Sequence, residues 1–179
     1  MNTLNSQAPS TITQSTSEFH DLYMPYVLWA HLPHDTNWDI QSYTKIYEFT
    51  NVEETVAITE TVPETLVKNC MLFVMRKNIM PLWEDPKNRS GGYFSYKISN
   101  KIVYEVWCKL VYILVGESLS EDSKFLSCVT GISISPKKNF CIIKIWLSNC
   151  QYQNPEIINY VIKGFSSQGC LFTKISPEK

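Results

Sequence analysis

The chain has 179 residues, a formal net charge of −1 and 18% charged residues. That length suits one domain with a sizeable core, and the balanced charge excludes the strongly basic global field selected by long nucleic acid. No apolar run approaches the ~20 residues that span a bilayer; the longest, Leu110 to Val115, is interrupted by Tyr112.

Residues 1–18 are rich in Ser, Thr, Asn and Gln with almost nothing to bury, and are expected to form a disordered tail. They also lack the basic start and apolar stretch of a signal peptide. From His20 the pattern changes, and residues 19–179 read as a single domain. Tyr26–His31 and Ser42–Phe49 are rich in β-formers and read as strands, with His34–Trp38 a polar loop between them. Asn51, with an acid three residues on, opens a helix near 52–60 that Pro63 ends. Met71–Arg76 is a strand, Met80–Gly92 a loop punctuated by Pro81, Pro86 and Gly91-Gly92, and Tyr93–Ile98 resumes the sheet.

Asn100 is placed to cap a helix from Lys101 to Val115, whose apolar face carries Val103, Val106, Trp107, Leu110, Val111 and Leu114. Gly116 stops it. Val129–Ser135 and Phe140–Leu147 make a hairpin across the turn at residues 136–139. Pro155 starts a last helix over about 155–165, and Leu171–Ile175 closes the chain as a strand. Strands with three interspersed helices indicate an α+β fold, a largely antiparallel sheet with helices packed on one face. The other face is then free for a ligand.

The six cysteines (70, 108, 128, 141, 150, 170) contain no C-x-x-C, and the three histidines all precede residue 35. That spacing suits neither a metal site nor a disulfide framework and implies a reduced, cytoplasmic compartment. No nucleophile–base pair, phosphate loop or metal cluster appears, so neither an enzyme nor a bound cofactor is expected.

The most informative residues are Trp38, in HDTNWDI, and Trp83, in MPLWEDPKN, where Glu84 and Asp85 follow at once. An indole face attracts a cationic ring by about 0.5–2 kcal/mol. A carboxylate beside it accepts the ring's N–H donors in charge-assisted bonds. A second indole can close a sandwich. The bland alternative is core or rim packing, the commonest use of Trp, and the two stretches alone favour it over a ligand cage. Asp85, adjacent to Glu84 in a loop, is expected to fix the loop rather than form a carboxylate pair.

The run Pro81-Leu-Trp-Glu-Asp-Pro-Lys-Asn followed by Gly91-Gly92, then Trp107, Gly116-Glu-Ser118 and Ile145-Trp146, resembles the eukaryotic mRNA cap-binding translation initiation factors of the 4E class. Trp29, Trp38 and Phe49-x-x-Val52-Glu53 fall in the same order, and the resemblance runs from His20 to about Ile175. It implies a curved, largely antiparallel sheet of about eight strands with three helices on the convex face. The ligand it implies is the 5′ end of capped mRNA, with N7-methyl-GTP as the minimal ligand. By the resemblance, Trp38 and Trp83 stack on the methylated base and Glu84 accepts its N1–H and N2–H. The Trp83 backbone N–H meets O6, and Trp146 lies against the N7-methyl group. Trp29 and Trp107 are assigned to the core.

On the phosphate side the chain departs from the family. Lys137 stands where the family has a phosphate-binding Arg, and Ile142 where it has a second basic residue. Lys144 has the strand parity of Ile142 and Trp146 and can compensate, with Lys138 the other candidate. Tyr93 replaces the Arg after the double Gly and is a possible contact for the first transcribed nucleotide.

The resemblance also implies a scaffold or inhibitor helix on the dorsal surface, and there the departures cluster. His20-Asp21-Leu22 stands for His-Pro-Leu, Val56 for an exposed Trp, Lys109 for an acid and Tyr112 for Leu, while Val52, Gly116 and Glu117 are kept. Loss of a central indole commonly removes a hot spot, so an altered partner is expected. The expected protein is a monomer with no membrane association. A cap-binding repressor or decoy stays open as the alternative, while the retained Trp38, Trp83 and Glu84 argue against an interaction module without a cap site.

Overall fold

The computed structural model describes residues 19–177; the expected disordered tail, residues 1–18, lies outside the described residues. The strands are β1 (Asp21–His31), β2 (Tyr43–Asn51), β3 (Met71–Arg76), β4 (Gly92–Ser99), β5 (Val129–Pro136), β6 (Phe140–Leu147) and β7 (Leu171–Lys174). They form one sheet in the order β2-β1-β3-β5-β6-β4-β7, with every neighbouring pair antiparallel. The helices are α1 (Val52–Thr61), α2 (Glu64–Asn69), α3 (Val103–Val115) and α4 (Ser123–Cys128). The α+β architecture expected from the sequence is thus observed. Among the described residues the sheet has seven strands rather than about eight, and there are four helices rather than three, two of them short.

Strand alternation divides the side chains between two faces. One face carries Tyr26, Leu28, Leu72, Val74, Ile132, Ile134, Ile143, Ile145, Phe94 and Tyr96, all buried in the main core with the helices. The central helix α3 buries Val103, Val106, Trp107, Leu110, Val111, Ile113, Leu114 and Val115 and leaves Glu105 and Lys109 exposed on the opposite face. Removing one such large side chain typically costs ~2–5 kcal/mol. The other face holds a smaller cluster of Phe73, Met75, Trp146 and Ile175, with Trp29, Tyr43, Met71, Ile79 and Tyr93 packed against it. Trp107 is core as expected, but Trp29 belongs to this second face.

Local chemistry explains where elements start and stop. Asn51 caps α1, its side chain accepting from the Glu54 backbone N–H at 2.8 Å. Pro63 both ends that helix and serves as the N-cap of α2. Asn100 does not cap α3; its side-chain oxygen accepts from the Cys141 thiol at 3.4 Å, and the helix begins two turn residues later, at Val103. Asp122, unremarked in the sequence, caps α4 by accepting from the N–H groups of Lys124 and Phe125. The expected last helix is reduced to a single 3-10 turn, Pro155–Ile157. Beyond it Ile162 and Phe165 are buried and bridged to each other, and Phe165 stacks on Tyr96 with ring centroids 4.1 Å apart. Those anchors hold the segment in a non-helical course.

Candidate functional site

The face of the sheet turned away from the helices carries a continuous band of rings. At one end the loop after β1 bends through two side-chain turns, Asn37 N–H to Asp35 and Asp39 N–H to Asn37, at 2.8 and 2.9 Å. This presents Trp38, which is 53% exposed. One indole face lies flat on the buried ring of His31, centroids 4.3 Å apart and planes 2° from parallel. His31 also ties the loop down through an Nε2 contact of 2.8 Å to the Asn37 carbonyl. Next in the band come Tyr43 against His31 (4.8 Å), Phe73 against Tyr43 (5.4 Å) and Trp146 against Phe73 (6.3 Å). Tyr93 and then Trp83 complete it, each step again 6.3 Å between centroids.

Trp83 is 41% exposed and rides on the loop between β3 and β4. That loop is braced from inside. Asp85 accepts the backbone N–H groups of Met80 and Lys87, both at 2.8 Å. Asn88, fully buried, donates to the carbonyls of Met80 (3.0 Å) and Leu82 (2.8 Å). Asp85 is therefore the loop-fixing residue expected from the sequence. Gly91 closes the loop where no side chain fits, since a Cβ there would stand 1.7 Å from the Leu147 carbonyl oxygen.

Glu84 is exposed on this loop. Its charge reaches across to Tyr43: burial first, and then the Glu84 carboxylate, push the Tyr43 phenol up to about 12. An acceptor-only carboxylate thus stands on the rim of an aromatic band, the pairing that a cationic, N–H-bearing ring requires. Trp146 is only 2% exposed, and its indole N–H is spent on Ser133 Oγ at 2.9 Å. It forms the floor beneath Tyr93 rather than a wall.

The expected parity of Lys144 is observed. It pairs with Ser133 and Ser95, one row from Trp146 and Tyr93, and points to the aromatic face. Its Nζ lies 4.0 Å from the Tyr93 ring centroid and 5.4 Å from that of Trp83. Burial, and secondarily the nearby Lys137, hold its pKa below the ordinary lysine value. Lys137 and Lys138 are exposed in the β5–β6 turn. One basic residue escaped the sequence reading. Lys97 is the cross-strand partner of Ile142 on the same face, and alternation from Tyr93 through Ser95 was the signal that could have found it.

On the helical side, a groove of about 710 Å³ is lined by Leu22, Val52, Val56, Tyr112, Gly116 and Glu117 among others. Six of the eight dorsal residues expected from the sequence therefore meet there. His20 and Lys109 do not line it: His20 binds Glu53 at 2.6 Å, and Lys109 binds Glu105 at 2.6 Å along α3. The groove floor contains a network the sequence reading missed. Arg76 Nη2 meets Glu117 Oε2 at 2.7 Å, Tyr26 donates to Glu117 Oε1 at 2.6 Å, and Arg76 also donates to the Val129 and Leu126 carbonyls. Glu117, not Gly116, takes the left-handed conformation that ends α3, with φ 49°, and these bonds hold it there.

Among the described residues no helix is long and apolar enough to cross a membrane, and no His/Cys/Asp/Glu cluster could hold a metal ion.

Comparison with known proteins gives this geometry a family. Residues 21–168 match the family model described as Eukaryotic initiation factor 4E. The chain is 37% identical over 62 residues to the eukaryotic translation initiation factor 4E homolog of Acanthamoeba polyphaga mimivirus, covering 35% of this chain and 23% of that one. It is 25% identical over 158 residues to eukaryotic translation initiation factor 4E of Candida glabrata, covering 83% of this chain and 74% of that one. Among solved structures, the complex of C. elegans eIF4E-3 with the 4E-binding protein Mextli and cap analog superposes with a TM-score of 0.69. That match covers 86% of this chain and all of the solved chain at 15% identity, a likeness of fold. With most of its length matched by the family model, the chain belongs to the eukaryotic initiation factor 4E family.

Proposed function

We propose that this protein, as a single domain from residue 19 onward, binds the N7-methylguanosine 5′ cap of mRNA and acts, without catalysis, in translation initiation in the cytoplasm. The observation that carries the reading is the aromatic face itself: two exposed indoles, Trp38 and Trp83, at the ends of one ring band, with Glu84 next to Trp83 in the chain and its charge felt at Tyr43.

In this reading the cationic base stacks between Trp38 and Trp83. Glu84 accepts the guanine N1–H and N2–H, and the Trp83 backbone N–H meets O6. His31 backs Trp38, and Trp146 closes the floor beneath the N7-methyl group. Methylation makes the base cationic, so both the stacking and the bonds to Glu84 strengthen over plain guanine. Lys137, Lys138 and Lys144, joined by Lys97, supply the charge for the triphosphate; lysines act there as point charges rather than bidentate forks. Tyr93 contacts the first transcribed nucleotide. Calorimetric titration with N7-methyl-GTP tests the assignment. Glu84→Gln and Trp83→Ala should each weaken binding at least tenfold (about 1.4 kcal/mol), and unaltered affinity in both variants would refute it.

The dorsal groove is the docking surface for a protein helix, and its chemistry departs from the family pattern. Val56, 37% exposed, offers far less contact area than an indole. The partner is therefore a divergent scaffold that brings capped mRNA to the ribosome. The rewritten groove equally suits a repressor or decoy that holds the cap and recruits nothing. A pull-down separates the two: initiation machinery recovered with the wild-type protein and lost on Val56→Asp supports the first, and capped RNA recovered alone supports the second.

A further inference from the structure

One of the two indoles that the cationic base would use, Trp83, already shares a cation with Tyr93. The Lys144 ammonium stands 4.0 Å from the Tyr93 centroid and 5.4 Å from the Trp83 centroid. Among the described residues no carboxylate lies within 4 Å of it; the lysines that do form ion pairs are Lys45, Lys68, Lys77 and Lys109. The amine is partly withdrawn from water, so the rings are its principal compensation. Its other charged neighbour, Lys137, repels it.

We infer that Lys144 is a specificity-determining residue that makes recognition of the methylated base conditional on the attached phosphates. The inference rests on the cap-base reading of Trp83 given above. A cationic base on Trp83 draws on the same π density as the ammonium and repels it at close range. The flexible four-carbon stem lets the ammonium leave the rings. A ligand with phosphates gives the displaced charge a new partner, whereas a bare nucleoside gives it none. Lys144 therefore opposes N7-methylguanosine and favours N7-methyl-GTP. A lysine that served only as a phosphate contact would affect the triphosphate alone.

The test is the affinity of wild type, Lys144→Met and Lys144→Arg for N7-methylguanosine, N7-methyl-GTP and unmethylated GTP. Met keeps the length and packing of the stem without the charge, and Arg keeps the charge. Lys144→Met should bind the nucleoside about threefold or more tighter and the triphosphate about threefold or more weaker, shrinking discrimination between them about tenfold or more. Lys144→Arg keeps a cation on the rings and should retain the wild-type direction of discrimination, opposing the nucleoside and favouring the triphosphate, and urea unfolding of each variant controls for folding. Weaker binding of both ligands by the Met variant, or an unchanged ratio, would overturn the inference while leaving the cap reading intact. A wild-type protein that binds GTP as well as N7-methyl-GTP would overturn both.

Discussion

Asn88→Ala is the sharpest test of how the loop carrying Trp83 and Glu84 is held. Asn88 is fully buried and donates both amide hydrogens to loop carbonyls, Met80 at 3.0 Å and Leu82 at 2.8 Å. Each such bond contributes about 0.5–1.5 kcal/mol net, so losing two should cost about 1–3 kcal/mol of stability. The lower half of that range is expected, because the side-chain oxygen of Asn88 has no partner and its removal relieves a penalty. The measurement is urea unfolding followed by titration with N7-methyl-GTP. Affinity should fall at least threefold, with preference for the methylated base retained, since Glu84 and both indoles remain. A stability change below about 0.5 kcal/mol together with unaltered affinity would refute the idea that this internal bracing positions the site.

Two further outcomes follow from other parts of the structure. Arg76→Met removes one partner of a largely buried ion pair and strands Glu117, together with the Val129 and Leu126 carbonyls; a loss of about 3–5 kcal/mol in urea unfolding is expected, and less than about 1 kcal/mol would show that water replaces the network. Burial lowers the Lys144 pKa in the folded state, so this group by itself makes stability rise with pH between that lowered value and the ordinary lysine range, against the opposite contribution of the cysteines and tyrosines whose pKa values burial raises. Lys144→Met should be more stable than wild type at pH 7, and the gap should narrow as pH rises through that window, as read from urea midpoints of both proteins at several pH values; a gap that stays constant with pH would contradict it.

Most of the sheet was legible because its strands are apolar runs bounded by turn signals. Met71–Arg76 and Phe140–Leu147 match β3 and β6 to the residue, and the alternation through Lys144 and Trp146 placed both on one face. β1 was read short because its first half, Asp21–Pro25, is broken by Pro25 and by a register shift against β2. The short helices were harder. Six residues of α4 carry too little periodicity to detect, and only the Asp122 cap announces them. At 155–165 the Asn-Pro start was legible, but the pull of Ile162 and Phe165 into the core is tertiary and left no local mark. In the site, adjacent Trp and Glu suggested the chemistry. The His31–Trp38 stack, the burial of Trp146 and the seating of Lys144 on rings each depend on residues distant in sequence. Arg76 and Glu117 are separated by 41 residues, and nothing in either segment names the other.

The central claim is that the aromatic face reads a methylated, cationic guanine. Intrinsic tryptophan fluorescence during titration with N7-methyl-GTP, in parallel with unmethylated GTP, tests it most directly. Saturable quenching by the methylated nucleotide is expected at concentrations where GTP has no effect, with most of the signal lost in Trp83→Ala. Equal quenching by both nucleotides, or none by either, would contradict it.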